Sequence, residues 1–147
     1  MAIGKRREGR QAAMQFLFAH DVHGNVEDAD RAAFWTLHSA AQDIRAHAES
    51  LVTGIQKHQA QIDECIGSTL ENFRFERLGV VDRNILRLAV YEMFHTEVPV
   101  PVVINEAIEI SKVFGDTQTR AFVNGVLDKI ARKVPARPAQ SPSAPQP

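Results

Sequence analysis

The sequence has a single cysteine, few aromatic residues and no long apolar run. Cys65 stands alone among 147 residues, so an intrachain disulfide framework is excluded and a reducing compartment is expected. No apolar stretch approaches the ~20 residues that a membrane-spanning helix needs. The basic N-terminus is not followed by the apolar segment of a signal peptide. These absences predict a cytoplasmic protein.

Proline is absent from residues 1–98, whereas five of the seven prolines lie in 135–147. After Val134 that segment has no aliphatic residue larger than alanine, so it buries too little apolar surface to offset the entropy of ordering. We therefore expect one folded domain over residues 1–134 and a disordered proline-rich tail over 135–147.

Catalytic and metal-binding motifs are also absent. The sequence contains no glycine-rich nucleotide loop, no HExxH and no CxxC, so no enzymatic activity and no cofactor are predicted. His20 and His23 have a spacing that a metal site can use, but solvated imidazoles at a helix end are much commoner. Cys65 adjoins Ile66 on an apolar helical stripe, which favours a buried, inert thiol.

Charge is distributed unevenly although the net charge is only -1. Residues 1–10 sum to +3 and residues 129–147 to +4, which leaves -8 on the 118 residues between them. Basic ends on an acidic body indicate an anionic partner that is met locally and not by the whole surface.

Helical periodicity runs through the body of the chain. In residues 8–22 the apolar face is formed by Ala13, Phe16, Leu17 and His20, at i, i+3, i+4 and i+7. The same period predicts six further helices, for an all-α fold of about seven. The second helix covers residues 30–41, the third starts at 43, and a short fourth starts at 62 after a break near Gln59. The fifth runs from Asp82 to the turn at Pro99, the sixth covers 103–114, and the seventh runs from 116 or 117 to 134.

Two glycines near the C-terminus invite local predictions. Gly115 follows a helical segment and is expected to end it in the left-handed conformation. Gly125 interrupts a helical pattern, which costs about 1 kcal/mol relative to alanine, so we expect a close approach between helices there.

Surface residues of the first helix suggest contact with RNA. Arg7, Gln11, Met14 and Phe18 lie within about 60° of one another on a helical wheel, beside the core face. Guanidinium groups bind phosphate, amides bind base edges and rings stack on bases. A basic N-terminal segment is a solvated tail about as often, so both interpretations stay open.

Near the C-terminus, Phe122 lies at the margin of the core stripe of the last helix. Such a phenylalanine is usually core, but it can also form a stacking platform for a base. Lys112 and Arg120 lie nearby in sequence and would contact phosphate. Glu106 and Glu109, at i and i+3, are expected to form a solvated face.

Four segments together resemble the NusB family of bacterial transcription antitermination factors. They are the N-terminal KRREGRQAAMQFLFAHD and, in the C-terminal half, LGVVDRNILRLAVYEM, EVPVPVVINEAIEISKVFG and FVNGVLDKIARK. The similarity covers residues 5–133. It implies an all-helical fold of about seven helices in two packed bundles.

The resemblance also implies a function. Family members bind the boxA element of nascent ribosomal RNA together with NusE, a small-subunit ribosomal protein. The complex joins the elongating RNA polymerase with other Nus factors and suppresses termination without catalysing a reaction.

The same resemblance implies roles for individual residues. Gln118 stands where some members carry an acid that influences RNA affinity. The expected RNA-binding residues are Lys5, Arg6, Arg7, Arg10, Gln15, Lys112, Gln118, Arg120 and Phe122. The expected NusE-binding residues are Phe18, Glu76, Asp82 and Arg87.

Two alternatives remain at the level of sequence. The chain would also fit a detached NusB-like accessory domain of a ribosomal RNA methyltransferase, or a helical protein-interaction module without RNA binding. Whether it forms a homodimer is left open.

Overall fold

The computed structural model describes residues 4–23, 31–32, 34–35, 41–72 and 74–135. Regular structure in this part of the chain is entirely helical, which confirms the predicted all-α class. The described elements are α1 (Lys5–His23), α2 (Gln42–Thr69), a short 3-10 helix (Phe75–Arg77), α3 (Val80–His95), α4 (Val100–Phe114) and α5 (Thr117–Ala131).

The apolar stripe of α1 packs on α2, with Ala13, Phe16 and Leu17 buried as predicted. Of the second predicted helix, residues 31–32 and 34–35 are described and helical, and the remainder up to residue 40 lies outside the described residues. Trp35 is buried and its ring stacks on Phe16 with the centroids 6.3 Å apart.

Helix α2 is one continuous helix of 28 residues, so the predicted break near Gln59 is wrong. Ile55 and Ile62 are both buried, and seven residues are close to two helical turns, so the two side chains stay on one face. Neither proline nor glycine stands between them to interrupt the hydrogen bonds.

Among the helices bounded above, α3 is central, because it contacts each of the other four α-helices. Residues 84–90 are buried without interruption, as expected for a helix that is enclosed on every side. It begins at Val80, slightly before the predicted start at Asp82. Through α3, the pair formed by α1 and α2 joins the group formed with α4 and α5 around one core.

The turn between α4 and α5 contains Gly115, whose φ of -127° is extended and not left-handed. The predicted left-handed stop is therefore wrong. Glycine fits there for a different reason, since a Cβ atom at position 115 would lie 2.6 Å from Cγ2 of Thr119. The predicted start of the last helix at 116 or 117 agrees with the cap at Asp116, whose carboxylate accepts a hydrogen bond from the backbone N–H of Thr119 at 2.8 Å.

Gly125 makes no close approach to another helix. A Cβ atom there would meet nothing within 4 Å among the described residues, so this prediction is also wrong.

Among the described helices, none is both long and apolar enough to cross a bilayer.

Candidate RNA and protein interface

Arg10 forms a buried ion cluster between α1, α3 and α4. Its Nε and Nη2 donate to the two carboxylate oxygens of Glu92 at 2.8 and 2.9 Å, and its Nη1 donates to Glu106 at 3.4 Å. Only 4% of Arg10 is exposed. The prediction that Arg10 contacts RNA is therefore wrong, because all three donor nitrogens are already directed at carboxylates.

The sequence contains a signal for this burial. Arg10 lies within about 20° of Leu17 on a helical wheel, which is the core face of α1. A charged residue on that face needs a partner, and the partner is 82 residues away along the chain.

Arg7 shares this cluster from its outer edge. Its Nη2 and Nε donate to Glu106 at 2.7 and 3.1 Å, and a third of the side chain remains exposed. Glu106 is thus buried and holds two arginines, so the prediction that it belongs to a solvated face is wrong. These contacts fix the start of α1 on α4.

Among the expected RNA-binding residues of α1, Lys5, Arg6 and Gln15 are exposed. Lys5 forms an ion pair with Asp43 at 2.7 Å, in which the two side chains are 74% and 54% exposed. A pair so exposed contributes little to stability, so phosphate can replace the Asp43 carboxylate at low cost.

Arg87 belongs to a second buried network. Its Nε and Nη2 donate to Asp63 at 2.8 and 2.9 Å, and the guanidinium carbon lies 5.4 Å from the ring centroid of Phe75. Only 9% of Arg87 is exposed, so its predicted place on the partner-facing surface is wrong. Its hydrogen bonds with Asp63 join α3 to α2.

Asp21 ties the end of α1 to the start of α3. Its carboxylate pairs with Arg83 at 2.7 Å and accepts from Asn84 at 3.1 Å. Burial by itself would raise the pKa of Asp21, but hydrogen bonds from Arg83 and Asn84 and the charges of Arg83 and Arg87 outweigh it, so the pKa is lowered.

Three large apolar side chains remain exposed among the described residues: Phe18 at 44%, Val22 at 50% and Val113 at 58%. On helical wheels Phe18 lies about 20° from Arg7, and Val113 about 20° from Glu106. Arg7 and Glu106 are in contact, so Phe18 and Val113 lie on the sides of α1 and α4 that face each other at that contact.

The direction of the helices supports this placement. Helix α1 is antiparallel to α3, because Arg10 meets Glu92 while Asp21 meets Asn84. Helix α4 follows α3 after residues 96–99, a short connection typical of antiparallel neighbours. Helices α1 and α4 are therefore parallel, and Phe18 and Val113 lie toward the same end of the molecule. We call Phe18, Val22 and Val113 the exposed apolar set.

A cavity of about 330 Å³ lies where α3 and α5 begin, lined mainly by Arg77, Leu78, Asp82, Asp116, Gln118 and Phe122. Burial raises the pKa of Asp82; a hydrogen bond with Thr119 opposes the shift and the charge of Asp116 adds to it. The structure thus brings Asp82, predicted for the protein partner, together with Gln118 and Phe122, predicted for RNA. Glu76 is exposed next to Arg77 on the 3-10 helix.

Lys112 and Arg120 flank the turn beside this cavity. Lys112 is 52% exposed and pairs with Glu109 at 3.3 Å. Arg120 is half-buried and donates to Oγ1 of Thr117 at 3.1 Å. Both cations lie at the junction of α4 and α5, close in sequence to Gln118.

No group of three potential metal ligands occurs within the described residues, a set that omits the side chain of His23. Burial raises the pKa of the Cys65 thiol, although the nearby charge of Lys133 acts in the opposite direction. The raised pKa keeps the thiol protonated.

Comparison with known families gives a consistent match. The model of the NusB family matches residues 7–132. The transcription antitermination protein NusB of Anaeromyxobacter dehalogenans (strain 2CP-1 / ATCC BAA-258) is 43% identical over 132 residues, covering 89% of this chain and 93% of that protein. The protein of the same name from Bacillus cereus (strain B4264) is 44% identical over 127 residues, covering 86% and 96%.

Solved structures give the same result. T. maritima NusB superposes with a TM-score of 0.79 at 34% sequence identity, covering 92% of this chain and 96% of that one. A chain from the crystal structure of antitermination factors NusB and NusE in complex with dsRNA superposes with a TM-score of 0.77 at 27% identity, covering 88% and 97%.

Proposed function

The chain belongs to the NusB family, and on that premise we propose that it is a transcription antitermination factor. It binds boxA RNA of nascent ribosomal RNA transcripts together with NusE, and joins the RNA polymerase elongation complex. The observation that carries this proposal is the similarity over nearly the whole fold to a chain solved with NusE and RNA. We propose a cytoplasmic binding protein, whose role requires no catalysed step.

The proposed RNA surface begins at the start of α1. Lys5 and Arg6 reach phosphates, Arg7 adds its exposed edge, and Gln15 lies on the same helix. Arg10 does not touch RNA. Its ion pairs hold α1 against α3 and α4, so that the cations before it start from a fixed backbone.

The surface continues along α4 to the cavity beside Phe122. Glu106, which holds Arg7, is followed after about 9 Å of helix by Lys112, at 1.5 Å per residue. Arg120, Gln118 and Phe122 lie beyond the turn, where the ring can stack on an unpaired base. The uncharged Gln118 repels phosphate less than an acid at the same position.

The proposed NusE surface contains the exposed apolar set, with Phe18 as its anchor. Phe18 and Val22 are exposed one helical turn apart on α1, and neighbouring exposed apolar side chains of this kind are typical of a protein contact. Glu76 and Asp82 are proposed as its polar neighbours. Arg87 supports the surface from inside and does not reach the partner.

The methyltransferase alternative is less well supported. The two NusB proteins compared above are matched over 93% and 96% of their own length.

The test is a titration of labelled boxA RNA and of a scrambled RNA, with and without NusE. We expect boxA to bind more tightly than the scrambled sequence, and NusE to strengthen the binding. Phe18→Ala should weaken NusE binding by about 1–3 kcal/mol, the usual effect of truncating an aromatic anchor that the partner buries, without unfolding the protein. Failure to bind either RNA, with or without NusE, would favour the helical protein-interaction module without RNA binding.

A further inference from the structure

Gly125 has no structural explanation within the described fold. It lies in the interior of α5, where glycine costs about 1 kcal/mol relative to alanine. Its backbone is not in the left-handed region, and a Cβ atom would find open space. Glycine is also used where a backbone must be approached closely by a ligand. The missing side chain is therefore evidence about what binds outside α5.

A groove of about 250 Å³ lies along this position, between the end of α2 and one face of α5. Phe122 and Lys129 are about 20° apart on the wheel of α5, and Gly125 and Val126 lie between them in sequence on the same side. Leu70 and Asn72 line the opposite wall. Phe122 lines this groove and also the cavity at the start of α5, so the two spaces are adjacent.

The far end of the groove is basic. Lys129 is 47% exposed and pairs at 3.2 Å with Glu71, itself 72% exposed, so phosphate can compete for the lysine. Arg132 and Lys133 follow as exposed residues at the end of α5. These cations belong to the basic C-terminal stretch, residues 129–147, which the RNA surface proposed above does not include.

We propose that this groove binds one unpaired nucleotide of the RNA, next to the nucleotide at the cavity on the other side of Phe122. The base lies between the Phe122 ring and the apolar side chains of Leu70 and Val126. The ribose passes over Gly125, where a side chain would be in the way, and the phosphate lies at Lys129. This inference rests on the proposed RNA-binding function and extends the RNA path along α5.

The first test substitutes Gly125. Gly125→Ala should raise the melting temperature, because alanine is the better helix former and the space is open. It should nevertheless weaken RNA binding several-fold, and Gly125→Leu, which fills the groove, at least tenfold. Asn124→Ala is the matched control, since Asn124 is exposed on the opposite flank of α5 and also gains helix propensity. It should leave RNA affinity unchanged.

The second test uses salt. Lys129→Gln should flatten the plot of log affinity against log salt by up to about 0.7, the value for one phosphate of a single strand. NusE binding should be unchanged in all variants, which shows that they are folded.

The outcomes separate the two proposals. If Gly125→Leu is folded and binds boxA RNA as the parent does, the groove is empty and the inference is wrong, while the proposed function stands. If the parent binds no RNA even with NusE, both are overturned. If the parent binds and Arg6→Ala weakens it, a loss with Gly125→Leu supports the groove.

Discussion

Arg6 and Arg10 lie one helical turn apart on α1 and have opposite environments. Arg6 is exposed, whereas Arg10 is held by Glu92 and Glu106 in the interior. A buried charge pair is worth little beyond its desolvation cost, but removing one member leaves the other charge buried. The same substitution should therefore lower stability at Arg10 and RNA affinity at Arg6.

We expect Arg10→Ala to lower the free energy of unfolding by about 3–5 kcal/mol, since it leaves two carboxylates in the interior with one cation fewer. Arg6→Ala should leave stability within about 0.5 kcal/mol and weaken RNA binding. Denaturant unfolding and RNA titration of both variants check this. The double variant Arg10→Met with Glu92→Leu should recover much of the loss, and a strictly additive loss would contradict the ion cluster.

Asp21 gives stability a pH dependence. Its pKa is lowered in the folded state, so its contribution is present above the ordinary carboxyl pKa and is lost as pH falls through the folded value. We expect Asp21→Asn to destabilise the protein at neutral pH by about 1–3 kcal/mol, the usual cost of breaking a charged hydrogen bond in a partly buried site. The difference from the parent should shrink on acidification. A difference that stays constant with pH would exclude this role.

At the scale of elements, the continuity of α2 is the feature that sequence periodicity alone missed. Helix α2 spans Gln42–Thr69, about 42 Å at 1.5 Å per residue. A proline inside a continuous helix removes a hydrogen bond and clashes with the preceding turn. The first helical position tolerates proline, because its N–H has no partner within the helix.

We therefore expect Gln59→Pro to destabilise the fold by about 3 kcal/mol or more. Gln42→Pro, at the first residue of the same helix, serves as the control and should change stability little. Thermal unfolding followed by circular dichroism measures both. Equal tolerance of the two prolines would restore the predicted break near Gln59.

At the scale of the whole molecule, the domain is expected to be independent of the proline-rich tail. Residues 136–147 lie outside the described part, so the prediction rests on composition. Deleting the tail, residues 135–147, should leave the melting temperature nearly unchanged, because it contains no large aliphatic side chain to bury. A fall of several degrees would show that the tail docks on the domain.

The periodicity of the sequence determined the all-α class, because the spacing of apolar residues on a helix is a local property. The cap at Asp116 also depends only on neighbouring residues. The four segments that resemble the NusB family indicated the family whose model matches residues 7–132.

Tertiary structure alone decided which of the predicted cations are exposed to RNA or to a protein partner. Arg10 and Arg87 look like surface charges in sequence, but their carboxylate partners lie 82 and 24 residues away, and only folding brings them together. The same holds for Gly125, since whether a glycine meets another helix or an open groove depends on how the helices pack. Local spacing predicts the face of a helix, and long-range contacts decide what that face meets.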